Sequence, residues 1–130
     1  MKILIIDDDA TVNDLWSIAF KNAGFDTISA SMAQEGMTTA KTQQPDFILL
    51  DQIMPDMKGN DVLKMLKSDP ATQKIPVALI SNYSDKQLMQ DAIQAGAIDY
   101  ILKYQIEPQD LVDKVKNLLQ ESKTGQVATS

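Results

Sequence analysis

Five short apolar runs recur along the chain: KILII at 2–6, FDTISA at 25–30, DFILL at 46–50, PVALI at 76–80 and DYILK at 99–103. A helical pattern fills each gap between them, and this alternation limits the fold more than any other feature. Four of the runs are nearly continuously apolar, as strands covered on both faces are, whereas 25–30 is mixed and reads as an edge strand. Val12, Leu15, Trp16, Ala19 and Phe20 recur at helical spacing, with Gly24 placed to end that helix. A second helix is expected over 32–41, opened by a capping box of Ser31 and Gln34. A third opens at Asn60, carries Val62, Leu63 and Leu66, and stops at Ser-Asp-Pro, 68–70. The fourth starts behind a second capping box, Ser84 with Gln87, and runs to Gly96. Pro108 suits the first position of the fifth, whose apolar face is Leu111, Val112, Val115, Leu118 and Leu119.

A strand–helix unit repeated in this way demands a parallel sheet with helices on both sides. Right-handed crossovers then favour a flavodoxin-like three-layer α/β sandwich with strand order 2-1-3-4-5. The expectation is one domain over 1–121, followed by a disordered tail at 122–130 that lacks periodicity.

Composition narrows the chemistry. The 130 residues, 44% of them apolar, suffice for one real core. A net charge of −6 argues against direct nucleic-acid binding and suits a cationic partner. Without cysteine or histidine there is no disulfide, no thiolate or imidazole metal site and no Ser-His-Asp triad. The apolar run before Asp7 is too short for a signal-peptide core, and no run approaches the ~20 residues of a membrane span. The expected setting is therefore cytoplasmic, away from membrane.

Three consecutive aspartates, Asp7, Asp8 and Asp9, stand at the end of the first buried strand. Like charges repel, so such a block needs a reason. In open α/β sheets, sites form at the carboxyl ends of the strands. There this chain places Asp7–Asp9 after strand 1, Asp51 after strand 3, Ser81 after strand 4 and Lys103 after strand 5. Carboxylates, a hydroxyl and one ammonium make a metal-and-phosphate site, and hard oxygen ligands select Mg²⁺. Singly, these residues have ordinary uses: Asp9 as a helix cap, Asp51 in a turn, Ser81 in a loop, Lys103 in solvent. Their convergence on one sheet edge is what favours a site.

The segments ILIIDDDATV, PDFILLDQIMPDMKG, IPVALISN and AGAIDYILK together resemble the receiver domains of two-component response regulators, over residues 2 to about 120. The resemblance implies a phosphorelay protein that takes a phosphoryl group on Asp51 from a histidine kinase or phosphotransfer protein and signals to a downstream partner or output domain. It implies Asp8 as a direct Mg²⁺ ligand, Asp7 acting through water, and Ile53 binding the metal by its backbone carbonyl. Ser81 would be the switch hydroxyl, Lys103 the cation on the phosphoryl group and Tyr100 the switch aromatic. Tyr100 would turn inward as Ser81 moves, altering the surface of helix 4, strand 5 and helix 5. Pro55 and Gly59 would shape the loop after Asp51. The implied activity is that of a signalling phosphoacceptor, limited to autocatalytic phosphotransfer and slow self-dephosphorylation, rather than of an enzyme.

Two positions depart from the family pattern. Tyr104 replaces the proline that usually follows the lysine, so the Lys103–Tyr104 bond is expected to be trans, since a non-proline cis bond costs about 2.5–4 kcal/mol. Ile53 stands where many relatives carry a polar side chain. Two rivals remain. DDDAT also fits the D-x-D-x-T signature of haloacid-dehalogenase-like phosphatases, with Asp7 as nucleophile and Asp9 as acid/base. That chemistry needs a further acidic pair, for which only Asp110 and Asp113 follow Lys103. The other rival is a phosphorylation-independent module that keeps only the receiver fold. A nucleotide site is disfavoured because no Gly-rich loop follows strand 1. Both a stand-alone receiver and the N-terminal piece of a longer regulator fit the sequence.

Overall fold

The computed structural model describes residues 1–124, and within it strands and helices alternate strictly. The strands are β1 (Lys2–Ile6), β2 (Asp26–Ala30), β3 (Phe47–Asp51), β4 (Val77–Ser81) and β5 (Asp99–Leu102). The helices are α1 (Ala10–Asn22), α2 (Ala33–Gln43), α3 (Gly59–Ser68), α4 (Lys86–Gln94) and α5 (Pro108–Thr124). All strand pairs are parallel and the sheet order is β2-β1-β3-β4-β5, as the alternation required.

Side chains alternate across a strand, and here that alternation builds two cores. Ile3 and Ile5 of β1, Phe47 and Leu49 of β3, and Ala78 and Ile80 of β4 face α1 and α5, meeting Trp16, Phe20, Leu111 and Val115. Their neighbours Leu4, Ile6, Ile48, Leu50, Val77 and Leu79 face the opposite layer, meeting Met37 of α2, Leu63 and Leu66 of α3 and Ala92 of α4. Burying one such Leu, Ile or Phe side chain contributes about 1.5–3 kcal/mol. β2 lies at the edge, and its middle residues are only partly buried.

Several boundaries differ from the sequence reading. In α1, Leu15 points outward and is 51% exposed, while Asn13 is buried in the helix face instead. Gly24 follows α1 at φ +94°, a conformation that costs glycine little. Ser31 and Gln34 form no capping box: the Ser31 N–H donates to Glu35, and a carboxylate from another loop caps α2. At α4 the cap is Asp85, one residue past Ser84, accepting from the Leu88 N–H at 3.0 Å. α5 begins at Pro108 and continues to Thr124, through the first residues of the expected tail. The rest of that tail, 125–130, lies outside the described residues. Among the described residues no peptide bond is cis, so Lys103–Tyr104 is trans. No helix among them is long and apolar enough to cross a membrane.

Candidate functional site

The aspartate triplet divides its work. Asp7 is fully buried, with Oδ1 accepting the Asp9 N–H at 2.9 Å and its backbone carbonyl accepting from Asn13 Nδ2 at 2.6 Å. Asp8 is exposed at the mouth of the site. Asp9 caps α1, its Oδ1 accepting from the Thr11 and Val12 N–H groups. Asp51 ends β3 and is 5% exposed. Oxygens of Asp7, Asp8 and Asp51 lie within 4.8 Å of one another.

Lys103 enters from the turn after β5 (Lys103–Gln105). Its Nζ sits 2.7 Å from Asp7 Oδ2 and 3.2 Å from Asp51 Oδ1. Burial acts to lower its pKa, but the Asp7 hydrogen bond and the Asp51 charge outweigh this and raise it. Three carboxylates thus face one ammonium. Burial, with the Asp7 charge adding to it and Lys103 opposing, pushes Asp51 from 3.8 up to about 7. A divalent cation beside the three carboxylates would oppose both the burial and the Asp7 repulsion that raise Asp51. All the donors are hard oxygens, so the residues fit Mg²⁺.

Ser81 is fully buried at the end of β4, and its Oγ accepts from the Tyr83 N–H at 3.0 Å. Tyr100 is also buried, and its hydroxyl donates to the Tyr83 carbonyl at 3.3 Å. Tyr100 therefore faces inward in this structure, with the Ser81 hydroxyl bonded to the loop. Both side chains thus hold Tyr83, Ser81 by its N–H and Tyr100 by its carbonyl.

The loop after Asp51 is closed by a single antiparallel bridge between Ile53 and Lys58. Gly59 then brings α3 against the acceptor strand, its N–H donating to the Gln52 carbonyl at 2.6 Å. A Cβ there would lie 2.6 Å from the Asp51 carbonyl oxygen and 2.8 Å from Gln52 Cα, so only glycine fits. Asp56 in this loop is the cap of α2, accepting from the Ala33 and Gln34 N–H groups at 2.9 and 3.0 Å. Those bonds hold its carboxyl below the usual range.

Asp7, Asp8, Asp51, Ser81 and Lys103 therefore gather at one sheet edge as expected, with Tyr100 behind them. The sequence reading missed Asn13, Gln52, Asp56 and Asn60. Buried Asn13 and Gln52 had one available signal, a polar residue where the apolar pattern calls for burial; Asp56 had none. Asp110 and Asp113, which a haloacid-dehalogenase-like site would need, are exposed on α5 and outside the carboxylate group.

The doubly wound sheet thus carries buried carboxylates, a buried hydroxyl and a half-buried lysine at its carboxyl edge, the arrangement of a phosphate-and-metal site. The response regulator receiver domain family matches residues 3–116, and the chain belongs to it. Among its relatives, the DNA-binding response regulator MtrA of Mycolicibacterium paratuberculosis is 31% identical over 93% of this chain and 52% of its own length. The DNA-binding dual master transcriptional regulator RpaA of Synechocystis is 34% identical over 93% of this chain and 50% of its own. The chain thus spans about half the length of these curated relatives. A CheY-like receiver domain protein from Methanospirillum hungatei superposes with a TM-score of 0.89 at 27% identity, covering 95% of this chain and 97% of that one. The receiver domain of a histidine kinase from Syntrophus aciditrophicus gives 0.82 at 29% identity, covering 92% and 89%. These findings favour neither the phosphatase nor the phosphorylation-independent reading.

Proposed function

We propose that Asp51 is the phosphoryl acceptor of this receiver domain. The observation that carries this is its burial at the end of β3 with Lys103 Nζ 3.2 Å away and two further carboxylates alongside. An ionised Asp51 oxygen attacks the phosphorus of a phosphohistidine on a histidine kinase or phosphotransfer protein. The P–N bond breaks, its electron pair leaves on the imidazole, and an acyl phosphate remains on Asp51. Lys103 is already placed to neutralise charge on the transferred group. Mg²⁺ held by Asp7, Asp8, Asp51 and the Ile53 carbonyl would supply the charge that keeps Asp51 ionised and offsets the phosphoryl oxygens. Asp7 would serve this set through water, while Asp9 stays on the helix cap.

Once the phosphoryl group is in place, the Ser81 hydroxyl donates to it and gives up the Tyr83 N–H. Tyr83, Tyr100 and the α4–β5–α5 surface respond, as charge-driven switches do. The signal passes to a separate protein or to an output domain of a longer chain. Leu15 and Tyr104, both more than half exposed beside the site, offer an apolar rim for the donor protein. Incubation with acetyl phosphate and Mg²⁺ should add one phosphoryl group by mass, and Asp51→Asn should abolish it. A label that survives in that variant overturns the assignment.

A further inference from the structure

Gln52 and Asn60 are 1% and 9% exposed, two amides buried side by side next to Asp51. Their orientations follow from the backbone. The Asn60 N–H can only donate, so the Gln52 atom 2.9 Å from it is Oε1. Gln52 Nε2 is then left to donate to Asn60 Oδ1, also at 2.9 Å. Asn60 Nδ2 is consequently turned to the Leu88 carbonyl on α4, at 3.4 Å. The Gln52 backbone is clamped as well: its N–H donates to the Ile80 carbonyl at 3.1 Å and its carbonyl accepts from Gly59 at 2.6 Å. Gln52 therefore cannot shift independently of Asp51, its covalent neighbour.

Resting on the reading of Asp51 as acceptor, we propose that Gln52 and Asn60 are positioning residues that carry a displacement at Asp51 to α4, by a route separate from Ser81 and Tyr100. Apolar side chains of similar volume would fill the same space without the cost of burying amides. What the amides add is direction: each bond fixes the next, from the acceptor strand through the first turn of α3 to α4. The 3.4 Å bond to Leu88 is the longest and weakest of the series. It is the joint that opens or closes first when the acceptor loop moves.

The test uses the full chain with acetyl phosphate and Mg²⁺, with loading of Asp51 confirmed by mass. Amide hydrogen exchange is then compared over 86–94 with and without the phosphoryl group. In the double variant Gln52→Leu, Asn60→Leu, Asp51 should still be loaded, and exchange at Tyr100 and its β5 neighbours should still respond. The response of α4 should fall about fivefold, the equivalent of one lost hydrogen bond. Asn60→Asp is the second variant, should the first fail to fold. It keeps an acceptor for Gln52 but presents an oxygen to the Leu88 carbonyl, and the same loss at α4 is expected. A loaded variant whose α4 responds as the parent's does overturns the proposal alone. An unlabelled parent overturns the acceptor reading, and this proposal with it.

Discussion

Replacing Asp51 by asparagine should stabilise the metal-free protein above about pH 7 and bring the two proteins together as the pH falls toward about 4. The folded state raises Asp51 from 3.8 to about 7, chiefly by burial and then by the Asp7 charge. A carboxyl raised in this way favours the folded state only while it is protonated. Its contribution is fully present below about pH 4, where both states hold the proton, and is lost as the pH rises through about 7. At 1.36 kcal/mol per pH unit the ceiling is about 4 kcal/mol. Lys103 loses one of its two carboxylate partners in the variant, so the expected gain at about pH 8 is nearer 2 kcal/mol. Urea unfolding in EDTA, followed by the fluorescence of Trp16, the one tryptophan, measures this. Adding Mg²⁺ at about pH 8 should stabilise the parent more than the variant. Parent stability that stays flat between about pH 5 and 8, or a variant no more stable at about pH 8, refutes the electrostatic reasoning. Asp56 and Asp69 act with the opposite sign. Both are held below the usual range by backbone hydrogen bonds, so the stability they add is present near neutrality and is lost only as the pH falls below the ordinary carboxylate range.

Asp8→Ala should abolish measurable Mg²⁺ binding, while Asp9→Ala should retain it and lose about 1 kcal/mol of stability with its helix cap; equal losses of Mg²⁺ affinity by calorimetry would place the ligand one residue along. Gly59→Ala forces a methyl group against the Asp51 carbonyl, so it should cost about 1–3 kcal/mol in urea unfolding and slow labelling by acetyl phosphate. The phosphorylated state should be long-lived, because Ile53 and Tyr83, 45% and 55% exposed at the rim, supply no acid or amide to orient a hydrolytic water. Label decay in an Ile53→Asn, Tyr83→Glu double variant should be faster by about tenfold or more, and a parent that loses its label within seconds would contradict this.

The strand order and the site's carboxyl-edge location were legible in the sequence because both depend on periodicity. Ile3 and Ile5 must part from Leu4 and Ile6 if each strand is covered on both faces, and parallel strands leave their carboxyl ends together. Asp7, Asp51, Ser81 and Lys103 could therefore be placed at one edge from their positions alone. The resemblance to receiver domains then supplied roles that position cannot supply. Local hydrogen-bond partners were not legible, since a cap or a buried amide is satisfied by whatever the fold brings near it. The Ser31–Gln34 box gave way to Asp56, 22 residues or more away along the chain, because that carboxylate reaches the bare N–H groups of α2. Leu15 and Asn13 exchange inside and outside on α1 because the Asn13 amide is held by the Asp7 carbonyl. By itself the sequence determined the alternation, the two-faced core and the four strand ends. Only the tertiary structure decided which aspartate is buried, that Tyr100 and Ser81 grip the same residue, and that Gln52 reaches α4 through Asn60, because those outcomes depend on distances between segments the chain order keeps apart.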